Sequence, residues 1–147
     1  MIKILEKGES ITSDDLGRAE ARLKIFIPEP YRSFLLENNG GRPEPSGVDI
    51  MGFSGEEADI AWFTAIRDEE ESNTISSNLE ILREGYPHKH VLPIATDSGG
   101  SIFCIDLEEG KGLPVVYFEW SGAWQDDPYE PLFVAPDFEA FLDMIHE

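Results

Sequence analysis

The stretch LPIATDSGGSIFCIDL, Leu92 to Leu107, limits what this chain can fold into more than any other. Asp97, Ser98, Gly99 and Gly100 are turn formers between two apolar runs, and glycine reaches the positive-φ backbone that a tight connection needs. The pattern predicts a hairpin of two neighbouring antiparallel strands. Side chains alternate along a strand, so Ile102 and Cys104 face one way and Phe103, Ile105 and Leu107 the other. Both sets are apolar, so this strand is central or covered by helices. An antiparallel sheet with helices packed on it accommodates such a strand. The hairpin by itself names no reaction.

The flanking chain supplies the helices. Thr12 and Ser13, followed by Asp14 and Asp15, form a helix start, because a side-chain oxygen caps orphan amides and carboxylates suit the positive end. Leu16, Ala19 and Leu23 then share a face up to about Lys24. A link from Ile25 to Ile27 leads to Pro28, Glu29 and Pro30, where one helix stops and a second begins. Tyr31, Phe34, Leu35 and Asn38 follow one face of that second helix, and Asn39, Gly40 and Gly41 suit a left-handed cap.

After turn-rich residues Arg42 to Gly47, Val48 to Phe53 reads as a strand and Ser54 to Glu57 as its turn. Ala58 to Ile66 alternates as a sheet strand does, while nine apolar-leaning residues also suit a helix. A middle helix fits about Thr74 to Glu84, closed by Gly85 with Pro87 beyond. Following the hairpin, Gly110 to Gly112 turns the chain into a strand from Leu113 to Trp120. Leu132 to Ala135 is a short strand or a lead-in. Pro136 and Asp137 open a terminal helix whose Phe138, Phe141, Leu142 and Ile145 recur at three and four; Phe34 and Phe141 are the expected aromatic anchors of the core. The fold class is α+β: a mostly antiparallel twisted sheet of about five or six strands, with N-terminal, middle and C-terminal helices packed on it. With no linker, repeat or low-complexity tract, residues 1–147 read as a single domain.

Charge is the least ordinary feature. The 30 Asp and Glu against 11 Lys and Arg give a formal charge of −19. Such a surface repels nucleic acid and anionic membrane and steers basic partners in, or serves solubility and adaptation to salt. The opening residues MIKILEKGES turn polar too soon for a secretory signal, and no apolar run approaches the ~18 residues of a membrane span, so a cytoplasmic location is expected. The single Cys104, within an apolar strand, reads as a buried small hydrophobe.

Motifs for catalysis are missing. His88 and His90 share a side if extended, but they lack a compact third metal ligand, with Cys104 buried and His146 in a frayed end. Carboxylate pairs arise by chance among 30 acids, and neither Asp126 with Asp127 nor the run Asp68, Glu69, Glu70 and Glu71 converges on one pocket from a regular strand. No phosphate-cradling glycine loop or nucleophile elbow occurs. No enzyme activity, metal or cofactor is expected.

Residues Glu119 to Glu130 carry more information. Trp120, Trp124 and Tyr129 stand among Glu119, Asp126, Asp127 and Glu130, giving aromatic anchors within carboxylates suited to a partner's Arg or Lys. Such a surface mimics the negative charge that a nucleic-acid-binding protein expects. The competing reading makes Trp120 the end of a core strand and Trp124 a cover over the sheet edge. Asp68, Glu69, Glu70 and Glu71 form a second candidate contact.

Taken together, these segments resemble the SUKH superfamily, which includes bacterial toxin-immunity domains and the fungal cell-wall-assembly regulator. The likeness rests on IPEPYRSFLLENNGG (Ile27 to Gly41), the hairpin LPIATDSGGSIFCIDL, the strand Val115 to Trp120 and VAPDFEAFLDMI (Val134 to Ile145), in the family's order. Ala95 and Thr96 depart from it, standing where a glycine and an aromatic or acidic residue are common, which argues against a ligand pocket at the turn. The resemblance implies a non-enzymatic protein-binding domain, an immunity protein that neutralises a cognate toxin encoded nearby, in many such systems a nuclease. A basic protein partner, no nucleic acid, no membrane and a monomer or weak homodimer follow as expectations. The alternative is a regulatory or scaffold module joining cellular proteins, as in the fungal relatives.

Overall fold

The computed structural model describes residues 2–50, 58–67, 74–85, 90–119 and 131–147. Its centre is a five-stranded antiparallel sheet in the order β5 (Trp62–Phe63), β6 (Val91–Thr96), β7 (Ile102–Asp106), β8 (Val115–Phe118) and β9 (Leu132–Ala135). The hairpin of β6 and β7 lies in the middle of this sheet, and every residue of both strands is buried. Alternation decides what each strand delivers to each face. Phe103 and Ile105 of β7 join Val115 and Tyr117 of β8 in the larger core cluster. Ile102 and Cys104 join Val116 and Phe118 in a second, smaller one. The fold is therefore α+β with a sheet whose two faces are both apolar, as the hairpin sequence requires.

Pro93 sits inside β6, where a central strand ordinarily excludes it. The ladder slips there: the pairing with β7 shifts register between Pro93 and Ala95. This bulge accommodates the missing donor and lets the adjacent Ile94 and Ala95 both enter the larger cluster.

The helices close the larger face. In α1 (Ser13–Leu23), Thr12 and Asp15 form a reciprocal capping box and Leu16 and Ala19 are buried. Helix α2 (Tyr31–Glu37) buries Tyr31 and Leu35, and α4 (Phe138–Asp143), capped by Asp137, buries Phe138 and Phe141. Phe34 is only half-buried, although its ring meets those of Phe63 and Phe138 with centroids 5.0 and 5.1 Å away. Helix α3 (Ile75–Gly85) packs against β6, giving Ile75 and Leu79 to one cluster and Leu82 to the other.

Several elements differ from expectation. A strand β1 (Lys3–Leu5) pairs with β2 (Arg42–Glu44) inside the stretch read as turn-rich. Of residues 48–50, the described part of the strand expected over Val48 to Phe53, only Val48 is paired, in β3 (Gly47–Val48); residues 51–57, with the expected turn, lie outside those described. Ala58 to Ile66 is not one strand: β4 (Ala58–Asp59) pairs with β3, while β5 joins the central sheet, so the chain changes sheets at Ile60 and Ala61.

The end of α2 also differs. Its cap, Asn38, is extended (φ −138°, ψ 90°), and positive φ comes later, at Gly40 (80°) and Gly41 (125°). Gly41 is required by close approach: a Cβ there would stand 2.6 Å from Ile4 Cγ2 and 2.7 Å from the Leu5 carbonyl oxygen, both on β1. His146 is not frayed. It exchanges backbone hydrogen bonds with Gly47 (2.7 and 2.8 Å), and its Nε2 lies 3.1 Å from Asp49 Oδ1.

Candidate functional site

The expected contact residues Trp120, Trp124, Asp126, Asp127, Tyr129 and Glu130, and the second group Asp68, Glu69, Glu70 and Glu71, lie outside the described residues, as does His88. Their described neighbours are informative. Glu119 follows β8 and Pro131 precedes β9, and these strands are paired with Tyr117 opposite Leu132. Both ends therefore stand at the edge of the sheet where β6 turns into β7, since Ile102 pairs with both Thr96 and Phe118.

That turn is tightly organised. Asp97 Oδ1 accepts hydrogen bonds from the amides of Gly99 (2.9 Å) and Ser101 (2.8 Å), and its own amide donates to the Ser101 carbonyl at 3.0 Å. These are the bonds for which aspartate is favoured at the head of a turn. The second carboxylate oxygen receives the Tyr117 hydroxyl from β8. Asp59, from β4, receives the Ser98 amide at 3.1 Å and the Ser98 hydroxyl. A five-residue turn is thus fixed by carboxylates from within and from a separate sheet.

The chemistry this permits is limited. Burial pushes the Tyr117 phenol well above its ordinary value, and its bond to Asp97 and the nearby charges of Asp97 and Glu119 act the same way. Tyr117 keeps its proton as a structural donor and is no general base. Cys104 is wholly buried and its thiol is pushed up, first by desolvation and then by Asp106, so it stays a thiol and not a nucleophile. Among the described residues no group of three or more His, Cys, Asp or Glu stands ready to hold a metal ion. What this end of the sheet presents is a hydrogen-bonded turn bearing Asp97, with Asp59 of β4 bonded to it and Glu119 just beyond β8. Beside it Trp62, opposite Thr96, carries the Arg42 guanidinium 5.5 Å from its ring centroid.

Residues 10–144 match the model of the SMI1/KNR4 family (SUKH-1). The chain belongs to this family. No curated protein matches it. Family membership supports a non-enzymatic protein-interaction domain, and the Ile27 to Gly41 stretch, the hairpin and the terminal helix that carry the likeness all fall inside the match. Among the described residues no helix is long and apolar enough to cross a membrane.

Neither Asp59 nor Tyr117 stands out in the sequence. Asp97 carries a local signal, an aspartate two residues before glycine, but Tyr117 bonds to it from 20 positions away and Asp59 holds Ser98 from 39, and a single sequence holds no trace of such pairing.

Proposed function

We propose that this SUKH-1 protein is an immunity protein, acting in the cytoplasm as a monomer or weak homodimer, that neutralises a cognate toxin by binding it directly. The observation that carries this reading is the family match over residues 10–144 joined to a formal charge of −19, which favours a basic, nuclease-like partner. The contact surface we propose comprises Trp120, Trp124, Asp126, Asp127, Tyr129 and Glu130, with Asp68, Glu69, Glu70 and Glu71 as a second candidate contact. The acidic turn stands at the end of the sheet where Glu119 and Pro131 flank that segment, which supports the choice, because carboxylates there add to the attraction for a basic partner.

The test is co-purification with, and protection against, toxins encoded beside this gene. A single dominant partner held in a stoichiometric complex, with rescue of cells expressing it, is the expected result. Folded protein that neither binds nor protects against any of them rejects the proposal. Recovery instead of several unrelated endogenous proteins at similar strength would favour a scaffold role.

A further inference from the structure

We propose that Asn39 and Gly40 form a self-modification site guarded by the fold: the asparagine deamidates when its surroundings open, and the product cannot rebuild them. The proposal is independent of the toxin reading. This is the one Asn-Gly pair in the sequence. Glycine carries no side chain to shield its amide nitrogen, so in a flexible chain that nitrogen can attack Cγ of the asparagine before it. A bond forms from Gly40 N to Asn39 Cγ and the Cγ–Nδ2 bond breaks. The side-chain nitrogen departs as ammonia, taking up the proton lost from Gly40 N. Water then opens the succinimide ring at either carbonyl and leaves aspartate or isoaspartate.

The fold requires both members of the pair. Asn39, 3% exposed, donates through Nδ2 to the carbonyls of Glu9 (2.8 Å) and Ile66 (3.0 Å), and its Oδ1 accepts the Ile66 amide at 2.8 Å. It thereby joins the β1–α1 connection to the residues after β5. Gly40 stands at φ 80°, and a Cβ there would lie 2.8 Å from Ala65 Cβ and 3.3 Å from the Phe63 carbonyl oxygen. A bulkier neighbour that would shield the asparagine is therefore excluded.

The same contacts hold the reaction off. Three hydrogen bonds fix the Asn39 side-chain amide, and the Gly40 amide donates to the Asn38 carbonyl at 2.9 Å. Attack requires Asn39 Cγ to swing onto the Gly40 nitrogen, which breaks these bonds, and burial keeps out the hydroxide that removes the Gly40 proton. Reaction proceeds through the opened chain, at a rate set by how much of it is open.

Neither product restores the junction. In aspartate an acceptor replaces the Nδ2 donor and faces two carbonyls. In isoaspartate the main chain runs through Cβ and Cγ and is one carbon longer. That extra carbon falls between the points where the Gly8 amide meets the Asn39 carbonyl (2.9 Å) and the Phe63 amide meets the Gly41 carbonyl (2.7 Å). Prolonged opening thus becomes an irreversible loss of native structure.

Peptide mapping by mass spectrometry tests the assignment on the full chain, held at mildly alkaline pH either native or in urea above its unfolding midpoint. Deamidation at Asn39 should run about a hundredfold or more faster in urea, since the native rate is scaled by the open fraction. Asn78, followed by Leu79, should stay intact over the same interval. Gly40→Ala should slow the reaction in urea about tenfold or more, a comparison that does not need the variant to fold. After dilution from urea the deamidated fraction should refold poorly or melt at a lower temperature, while the intact fraction recovers the native transition. Native protein deamidating at Asn39 as fast as the unfolded chain, Asn78 reacting as fast as Asn39 in urea, or deamidated chain regaining the native melting temperature would each overturn the proposal.

Discussion

The side chain of Asn39 gives both amide hydrogens and its oxygen to two separate chain segments, and this explains an asparagine at a buried position. Asn39→Ala leaves the Ile66 amide and two carbonyls without their partner, and a buried group so orphaned costs roughly 1–3 kcal/mol. The variant should lose about 3 kcal/mol in urea denaturation. Asn39→Asp should lose more at neutral pH, because a carboxylate oxygen would then face the carbonyls of Glu9 and Ile66. Tyr31 poses a related case. Thr64 donates to the Pro93 carbonyl at 3.0 Å, so its oxygen receives the Tyr31 hydroxyl at 3.1 Å. Burial raises the phenols of both Tyr31 and Tyr117 above their ordinary 10.0. A raised folded value means that the unfolded chain loses these protons first. Stability is therefore complete below about pH 10 and falls as pH climbs beyond it. Tyr31→Phe should cost about 1 kcal/mol at neutral pH and flatten this alkaline decline, read by denaturation at a series of pH values alongside tyrosinate absorbance.

Burial separates the two aromatic anchors at the level of elements. Phe141 is 0% exposed beneath α4, with its ring 5.4 Å from Phe103, so Phe141→Ala should cost about 3–5 kcal/mol. Phe34, half-buried at the rim of α2, should cost closer to 2 kcal/mol on truncation, its place in the core being taken by Tyr31 and Leu35. Equal losses in denaturant would contradict this ordering. Helical spacing reveals which stripe of α2 turns inward but not which member sits at its centre, since Tyr31, Phe34 and Leu35 all satisfy it. The elements that were legible are those whose apolar pattern persists: the capped α1, the β6–β7 hairpin, β8 and α4. Those missed are short and paired at long range. Strand β1 has three residues of which Lys3 and Leu5 are exposed, and β2 is built on Arg42, Pro43 and Glu44, a composition that reads as turn because proline cannot donate to a ladder. The break between β4 and β5 leaves no mark either, because Ile60 is as apolar as the paired residues around it.

Across the whole molecule the excess of carboxylates sets both stability and encounter. A charge of −19 repels itself in the compact state, so added neutral salt should raise the melting temperature, most steeply where screening first becomes effective. The same field steers a basic toxin inward, and its contribution can be separated from that of close contacts at the proposed surface. Changing Asp126 and Asp127 together to asparagine removes charge without removing bulk, and should slow association while leaving dissociation nearly unchanged; this deficit should shrink as salt rises. Trp124→Ala should do the reverse, raising the dissociation rate with a loss of about 2 kcal/mol or more, because a desolvated aromatic holds the formed complex and does not guide its approach. If Trp124 instead covers the sheet edge, its removal lowers the melting temperature and any weakening of the complex follows from unfolding. Binding kinetics at two salt concentrations, measured beside thermal stability, divide these outcomes. Unchanged kinetics in both variants with an intact fold would move the footprint away from residues 120–130, and substitution of Asp68, Glu69, Glu70 and Glu71 would then be the next experiment, since that run carries the densest remaining charge.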